Sequence, residues 1–155
     1  MKNIYKILML LCVAFLSVSC GSKKGADGPQ VSSSIIAEWH LVSVSGISSS
    51  AVPQVYISFA SNGTFEMYQK VGSVMRYRKY DGTYTVSGNV VAGKYSDGED
   101  WGSEYAVTFE NELMVMTAQN GSAEVCKYEK DALSPSDKAN AEVVTKSEED
   151  SRRFL

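Results

Sequence analysis

Between residues 35 and 129, apolar and polar residues alternate in short runs that are separated by turn residues. Val55, Ile57 and Phe59, for example, share one parity of their run, and a tyrosine and a serine lie between them. A period of two is typical of strands with one buried face, and no run shows the period of an amphipathic helix. The pattern therefore predicts an all-β domain. The predicted strands cover residues 38–45, 52–60, 64–70, 73–80, 83–87, 90–95, 103–110, 113–118 and 122–130.

The connections between these runs are short and rich in glycine. The turn pairs are Asn62-Gly63, Asp81-Gly82, Gly88-Asn89, Asp97-Gly98 and Asn120-Gly121. Such pairs favour tight hairpins, in which each strand lies beside its predecessor, because the central positions of the turn need positive φ. Closing such a meander removes its two exposed edges. We therefore predict a small antiparallel up-and-down barrel of about 8–9 strands, although a two-sheet sandwich would show the same alternation.

One parity of the strands supplies large side chains that would fill or line the barrel interior. The interior candidates, which are also the candidate ligand-binding residues, are Trp39, Phe65, Met67, Tyr84, Tyr105 and Phe109. Trp39 is expected to close one end of the barrel with its indole N–H paired, because an unpaired buried donor costs free energy. Trp101 follows the turn at residues 97–100 and is expected to be more exposed.

Residues 1–19 have the composition of a signal peptide. Lys2 and Lys6 form a basic region, and an apolar run of ten residues extends from Ile7 to Leu16. A membrane span needs about 20 apolar residues to cross a hydrocarbon core of about 30 Å. The run is therefore too short to span and fits the hydrophobic region of a secretion signal.

The residues before Cys20 resemble the lipobox of bacterial lipoproteins, although Ser17 stands where that motif usually has Leu and Leu16 lies one residue further back. The resemblance implies that Cys20 becomes a new N-terminus and carries fatty acyl chains such as palmitate in the membrane. Gly21 follows in place of Asp, which by the same resemblance favours the outer membrane and leaves the periplasmic or surface face undecided. Residues 20–34 are rich in Gly and Ser and predict a lipidated flexible tether.

Motifs within residues 35–130 resemble the bacterial lipocalin-like (calycin-type) lipoproteins. These motifs are WHLV (39–42), YISF (56–59), NGTF (62–65), YDGTYTV (80–86), GKYSDG (93–98) and WGSEY (101–105). The chain has Ala37 where lipocalins usually have Gly, two residues before the Trp. Lys127 and Lys130 are the nearest candidates for the Arg that commonly stacks on that Trp. The resemblance implies a lipocalin-like β-barrel over residues 35–130 and a small apolar ligand inside it.

Composition and charge exclude several functional classes. The 155 residues are 44% hydrophobic, which is enough for the core of one domain, and the net charge of −3 comes without a basic block that would favour nucleic acid. Residues 76–80 mix cations with tyrosines, but strand alternation distributes them over two faces. We therefore expect no nucleic-acid partner.

No catalytic or metal-binding motif stands out. Cys126 is the only cysteine left after processing, so no internal disulfide is expected, and a lone strand Cys usually packs as a small apolar residue. The sole histidine, His40, has the opposite parity to Trp39 and no evident acid partner. Asp97, Glu99 and Asp100 do not match a calcium loop. We expect no enzyme activity, no metal and no cofactor.

Residues 131–155 form a polar tail. Ser134 as N-cap and Pro135 at the first helical position predict a short helix, and the residues behind it have too few spaced apolar positions to hold more than a frayed helix or a disordered segment.

Two functions fit these observations. The first is a membrane-anchored module of the bacterial envelope that binds a small hydrophobic ligand in its barrel. The second is a structural or protein-interaction module of the envelope whose barrel is filled by its own side chains, since small barrels of about eight strands can be filled in this way.

Overall fold

The structure is a computed structural model that describes residues 31–72, 74–144 and 153–155. The predicted signal peptide, Cys20 and residues 21–30 of the predicted tether lie outside the described residues. Val31–Ser34, at the end of that tether, form one helical turn, α1. No helix in the described part of the chain has the length and apolar character of a membrane span.

Eight strands close into an antiparallel up-and-down barrel. They are β1 (Glu38–Val44), β2 (Gln54–Phe59), β3 (Thr64–Lys70), β4 (Arg78–Ser87), β5 (Val90–Tyr95), β6 (Tyr105–Glu110), β7 (Leu113–Ala118) and β8 (Val125–Lys130). Each strand pairs with the next along the chain, and β8 pairs with β1 to close the ring. The predicted all-β barrel is therefore confirmed. A short 3-10 helix, Ser49–Ala51, connects β1 with β2.

The two ends of the barrel differ in their connections. We call the end at Trp39 the lower end and the end at Gln69 and Tyr95 the upper end. Tight turns close the lower end, and Gly63 and Gly88 adopt φ of 80° and 62° there. The hairpins that the sequence predicts at both positions are present, but only the glycine of each Asn/Gly pair has positive φ. At the upper end the connections are longer, which leaves room for other segments of the chain to cover it.

The predicted turn at residues 81–82 is wrong, because β4 continues through it from Arg78 to Ser87. Its first half pairs with β3 and its second half pairs with β5. The two halves meet at Gly82, which pairs with both Phe65 and Tyr95. A β-carbon on Gly82 would lie 2.1 Å from the Lys94 carbonyl oxygen, so the glycine is needed for close approach of β5.

Inward side chains of all eight strands form one apolar core. Its fully buried members with the largest side chains include Trp39, Leu41, Ile57, Phe59, Phe65, Met67, Met114, Met116 and Tyr128. Ile35, directly after α1, belongs to the same core. Three methionines with no exposed surface fill the irregular space between aromatic rings, a role that suits their flexible side chains.

The tail follows the barrel more closely than the sequence predicts. The predicted helix is present as α2 (Pro135–Ala139), and the Ser134 side chain accepts a hydrogen bond from the Asp137 backbone as its N-cap. A two-residue strand, β9 (Glu142–Val143), then pairs in parallel with the start of β4. Outside the barrel, Leu133 packs with two outward tyrosines in a second small cluster.

Candidate functional site

Trp39 closes the lower end of the barrel. Its side chain is 1% exposed, and its indole N–H donates to the Ile35 carbonyl oxygen at 2.8 Å. The Lys130 ammonium lies 5.5 Å from the centre of the indole ring, within the range of a cation–π contact. Lys130 thus holds the position that the sequence analysis offered to it or to Lys127. The expectation that Trp39 is buried with its indole N–H paired is therefore confirmed, and the residue closes the lower end of the barrel.

The structure brings the six predicted interior residues into the same core. Trp39, Phe65, Met67 and Tyr105 are buried, whereas Tyr84 and Phe109 are half-buried and pack against them. Phe109 lies 5.9 Å from Trp39 between ring centres, so it belongs to the lower end. The Tyr84 hydroxyl is already used, since it donates to the Ala60 carbonyl oxygen at 2.8 Å.

Trp101 is a correction to the sequence analysis, because it is buried rather than exposed. Only 6% of its surface is exposed, and its ring centre lies 5.0 Å from that of Phe65 and 6.1 Å from that of Tyr105. The ring covers Gly93 so closely that a β-carbon there would lie 2.1 Å from it. Gly93 in the middle of a strand is the signal that was missed, since such a glycine often marks a close approach.

Four buried side-chain polar atoms have no hydrogen-bond partner among the described residues. Three belong to core residues, namely the Tyr128 hydroxyl, the Trp101 indole N–H and the Tyr80 hydroxyl, and the fourth is Nε2 of His40 on the outer face. Most buried polar groups in proteins are paired, and each unpaired one costs about 1–3 kcal/mol. The unpaired donors in the core could therefore each serve a polar group that the described residues do not supply.

Four tyrosines on the strands point into the barrel core. Tyr80, Tyr95, Tyr105 and Tyr128 are all buried, and of these the sequence analysis named only Tyr105. Strand parity is the signal that finds Tyr95 and Tyr128. Each lies two residues after another inward residue, Gly93 and Cys126 respectively, and therefore on the same face of its strand. Burial raises the pKa of Tyr95, Tyr105 and Tyr128 above that of an ordinary tyrosine. Their hydroxyls therefore stay neutral at physiological pH and can donate hydrogen bonds.

Cys126 belongs to the same core but lacks the properties of a nucleophile. Burial, with a smaller contribution from Glu124, raises the pKa of the Cys126 thiol to about 12. Reactive cysteines have a lowered pKa and an electropositive, accessible environment. His40, which lies on the outer face, is stacked on Tyr56 with ring centres 4.4 Å apart. No Cys–His pair forms between these described residues.

Two of the three acidic residues singled out in the sequence, Asp97 and Asp100, are held in separate ion pairs. Asp97 accepts hydrogen bonds from the Arg153 guanidinium, whereas Asp100 lies 2.6 Å from the Lys94 ammonium. His40 does have an acid partner, because its Nδ1 lies 3.4 Å from Glu129. Asp131 adds a third possible ligand, with the three atoms within 4.8 Å of one another, and both carboxylate residues are exposed. Exposed acidic groups of this kind are common on protein surfaces without a bound metal ion.

Comparison with known proteins identifies the fold family. The lipocalin-like domain profile matches residues 35–116, which run from the start of the core through the first six strands and into β7. No curated protein matches the chain significantly. The match covers Trp39, Tyr80, Tyr95 and Tyr105, and it ends before Tyr128.

Proposed function

The chain belongs to the lipocalin-like domain family, and we propose that it binds a small hydrophobic ligand with an oxygen-bearing head group inside its barrel. The Tyr128 hydroxyl carries this proposal. Tyr128 is fully buried in an apolar core, and its hydroxyl has no partner among the described residues. A ligand oxygen that accepts from this hydroxyl would remove the cost of the unpaired donor, while its apolar part would contact the core.

The ionisation states of the buried tyrosines and of Cys126 support binding rather than catalysis. The tyrosines hold their protons because burial raises each pKa, so they act as neutral donors and not as bases. The Cys126 thiol, with its pKa raised to about 12, supplies no thiolate near neutral pH. The arrangement suits a polar anchor for an otherwise apolar molecule, which is how most small-molecule pockets obtain their specificity.

Replacement of Tyr128 by Phe tests the binding site. We expect the affinity for a fluorescent medium-chain fatty acid, dansyl-undecanoic acid, to fall about fivefold, because a neutral hydrogen bond contributes about 1 kcal/mol. The free energy of unfolding should stay within about 0.5 kcal/mol of wild type or rise, since the change removes an unpaired buried hydroxyl. Fluorescence titration measures the affinity, and urea denaturation measures the stability.

Tyr68→Phe is the matched control for this experiment. Tyr68 is also buried, but it faces outward, and its hydroxyl donates to Glu66 at 3.1 Å. This variant should bind the probe like wild type. Equal loss of affinity in both variants, or no change in Tyr128→Phe, contradicts the proposed site.

The second candidate, a structural or interaction module with a filled barrel, rests on the complete burial of the core. Met67, Met114 and Met116 have no exposed surface, and large rings close around them. Under this alternative, neither wild type nor any variant binds the probe, and the barrel serves as a rigid body that presents its outer face.

We further propose that the barrel is tethered to the outer membrane through acyl chains on Cys20. The support is the sequence order of basic region, apolar run and small residues before Cys20, together with the Gly- and Ser-rich segment after it. Each buried methylene contributes about 0.8 kcal/mol, so two or more acyl chains give a stable anchor where one gives marginal binding. An anchored barrel would stay close to the lipids from which a hydrophobic ligand could come.

Replacement of Cys20 by Ala tests the anchor. We expect the variant to leave the detergent phase completely in a phase-partition experiment, while its barrel stays folded because Cys20 precedes the packed residues. Cys126→Ala is the control, since Cys126 is buried in the barrel and should not affect partitioning. Continued partitioning of the Cys20→Ala protein with the detergent contradicts the proposed anchor.

A further inference from the structure

The upper end of the barrel is occupied by residues 153–155 of the chain itself. Leu155 is 5% exposed and belongs to the same core as Trp39 and Tyr95, and Phe154 packs against that core. Two apolar side chains from a charged tail thus contribute to a core that consists mainly of strand residues. We call Arg153–Leu155 the plug.

Two inward polar side chains hold the backbone of the plug. The Tyr95 hydroxyl donates to the Leu155 carbonyl oxygen at 2.7 Å. The Phe154 backbone N–H donates to Oε1 of Gln69 at 2.9 Å, and Gln69 is only 2% exposed. A buried glutamine and a buried tyrosine aimed at a passing segment are the kind of few, well-placed polar groups that binding sites use to orient an occupant.

An ion pair fixes the plug at the rim. The Arg153 guanidinium makes two hydrogen bonds to the Asp97 carboxylate, of which the one from Nη1 to Oδ1 measures 3.2 Å. The central carbon of the guanidinium, Cζ of Arg153, lies 4.5 Å from the ring centre of Tyr95 and 5.6 Å from that of Tyr80. The two charged side chains are 21% and 13% exposed, so solvent screens the pair only in part. We call the ion pair between Asp97 and Arg153 the latch.

The plug and the proposed ligand site have one neighbour in common, Tyr95. Tyr95 holds Leu155 and also belongs to the electrostatic environment of Tyr128. Beside the plug, an open groove of about 320 Å³ is lined by Tyr80, Tyr95, Val143, Val144 and Arg153 among others. A ligand that entered the barrel through the upper end would meet the plug first.

We propose that the plug is displaceable, that it occupies the upper end as a substitute for the ligand, and that the Asp97–Arg153 latch sets how easily a ligand replaces it. This inference rests on the proposed function. The groups that hold the plug also define the class of molecule that can replace it. Tyr95 offers a donor to a carbonyl or carboxylate oxygen, and the core around Leu155 accepts an aliphatic chain, so the replacing molecule is an acyl compound with an oxygen-bearing head group.

The test removes the charge of Asp97 and keeps a side chain of nearly the same shape. Asp97→Asn retains Oδ1, which accepts from the Glu99 backbone N–H at 3.1 Å, but it loses the charge that holds Arg153. We expect the open population to rise about tenfold, as for loss of a charge-assisted hydrogen-bonded pair that is partly exposed. Hydrogen exchange of the Phe154 amide should accelerate about tenfold, and dansyl-undecanoic acid should bind up to about tenfold more tightly, because apparent affinity scales with the open fraction.

Two further variants of the full chain make the result specific. Arg153→Gln removes the latch from the other side and should give the same two changes, which guards against a local folding defect in Asp97→Asn. Asp100→Asn is the matched control. Asp100 lies on the same connection as Asp97, but its carboxylate pairs with the Lys94 ammonium, at 2.6 Å, and not with the plug. This control should change neither exchange nor affinity.

The two readouts separate the plug from the proposed function. Faster Phe154 exchange in both latch variants with unchanged probe affinity overturns the gating role and leaves ligand binding intact. Faster exchange with no probe binding in wild type or in either latch variant overturns the proposed function, and the gating role with it. Unchanged exchange in both latch variants overturns the latch.

Discussion

Replacement of Gly82 by Ala is expected to lower the free energy of unfolding by about 3 kcal/mol, at the upper end of what overpacking in a close-packed protein typically costs. The added β-carbon would lie 2.1 Å from the Lys94 carbonyl oxygen and 2.8 Å from the Tyr95 α-carbon. Both are backbone atoms, so no side-chain rotation can relieve the clash. The β4–β5 pairing must open instead, and the polar groups that pair there lose their partners.

Gly102→Ala is the control for this prediction. An added β-carbon at Gly102 meets nothing within 4 Å, so this substitution should change stability by no more than about 0.5 kcal/mol. Urea denaturation followed by circular dichroism measures both variants. Similar losses at the two positions would show that the close approach of β5 to Gly82 is not what requires the glycine.

The same glycine explains where the sequence analysis of the fold failed. An Asp-Gly pair between alternating runs is typical of a hairpin, and at Asn62-Gly63 the corresponding signal was right. At Asp81-Gly82 the chain instead continues as one strand that changes partners from β3 to β5. A glycine in the sequence indicates that the position needs a small residue. It does not show whether a turn or a closely approaching strand is the reason.

Alternation predicted the core residues on strands better than those in the connections. Trp39, Phe65 and Met67 lie in strands whose bounds were predicted to within about one residue, so their parity gave the correct face. Trp101 lies in the connection between β5 and β6, where no period applies. Its burial depends on Gly93, eight residues earlier, and on rings contributed by other strands. That information is tertiary and has no local pattern.

The plug lies beyond the reach of sequence patterns for the same reason. Phe154 bonds to a side chain 85 residues away, and Leu155 bonds to one 60 residues away. Two apolar residues after a charged segment are too few to predict an element. Only the longer connections at the upper end, together with the inward Gln69 and Tyr95, give them a place to bind.

The two ends of the barrel are closed in different ways. At the lower end, Trp39 is buried and its indole N–H is paired with the Ile35 carbonyl oxygen. At the upper end, an ion pair and two hydrogen bonds hold the plug, and the displacement that we propose would break all three. The strand pairings that close the ring are made among β1–β8 and do not involve the plug.

Stability is expected to fall steeply above pH 10. Burial raises the pKa of Tyr95, Tyr105 and Tyr128 above the ordinary value of 10.0. Above that pH the unfolded chain releases these protons while the folded barrel retains them, so the folded state binds more protons and its stability decreases as the pH rises. Each group contributes about 1.4 kcal/mol per pH unit between its unfolded and folded pKa, which makes about 4 kcal/mol per unit for the three tyrosines together.

Cys126 should begin this loss earlier, because its pKa is raised from 9.0 to about 12 and its window therefore opens one unit lower. Urea unfolding at pH 8, 9, 10 and 11 measures the dependence. The Tyr128→Phe variant provides the internal check, since removal of one buried phenol should make the slope above pH 10 shallower by about 1.4 kcal/mol per unit. A free energy of unfolding that stays level up to pH 11 would mean that these hydroxyls reach water in the folded state, and the buried, neutral donors on which the ligand site depends would not exist.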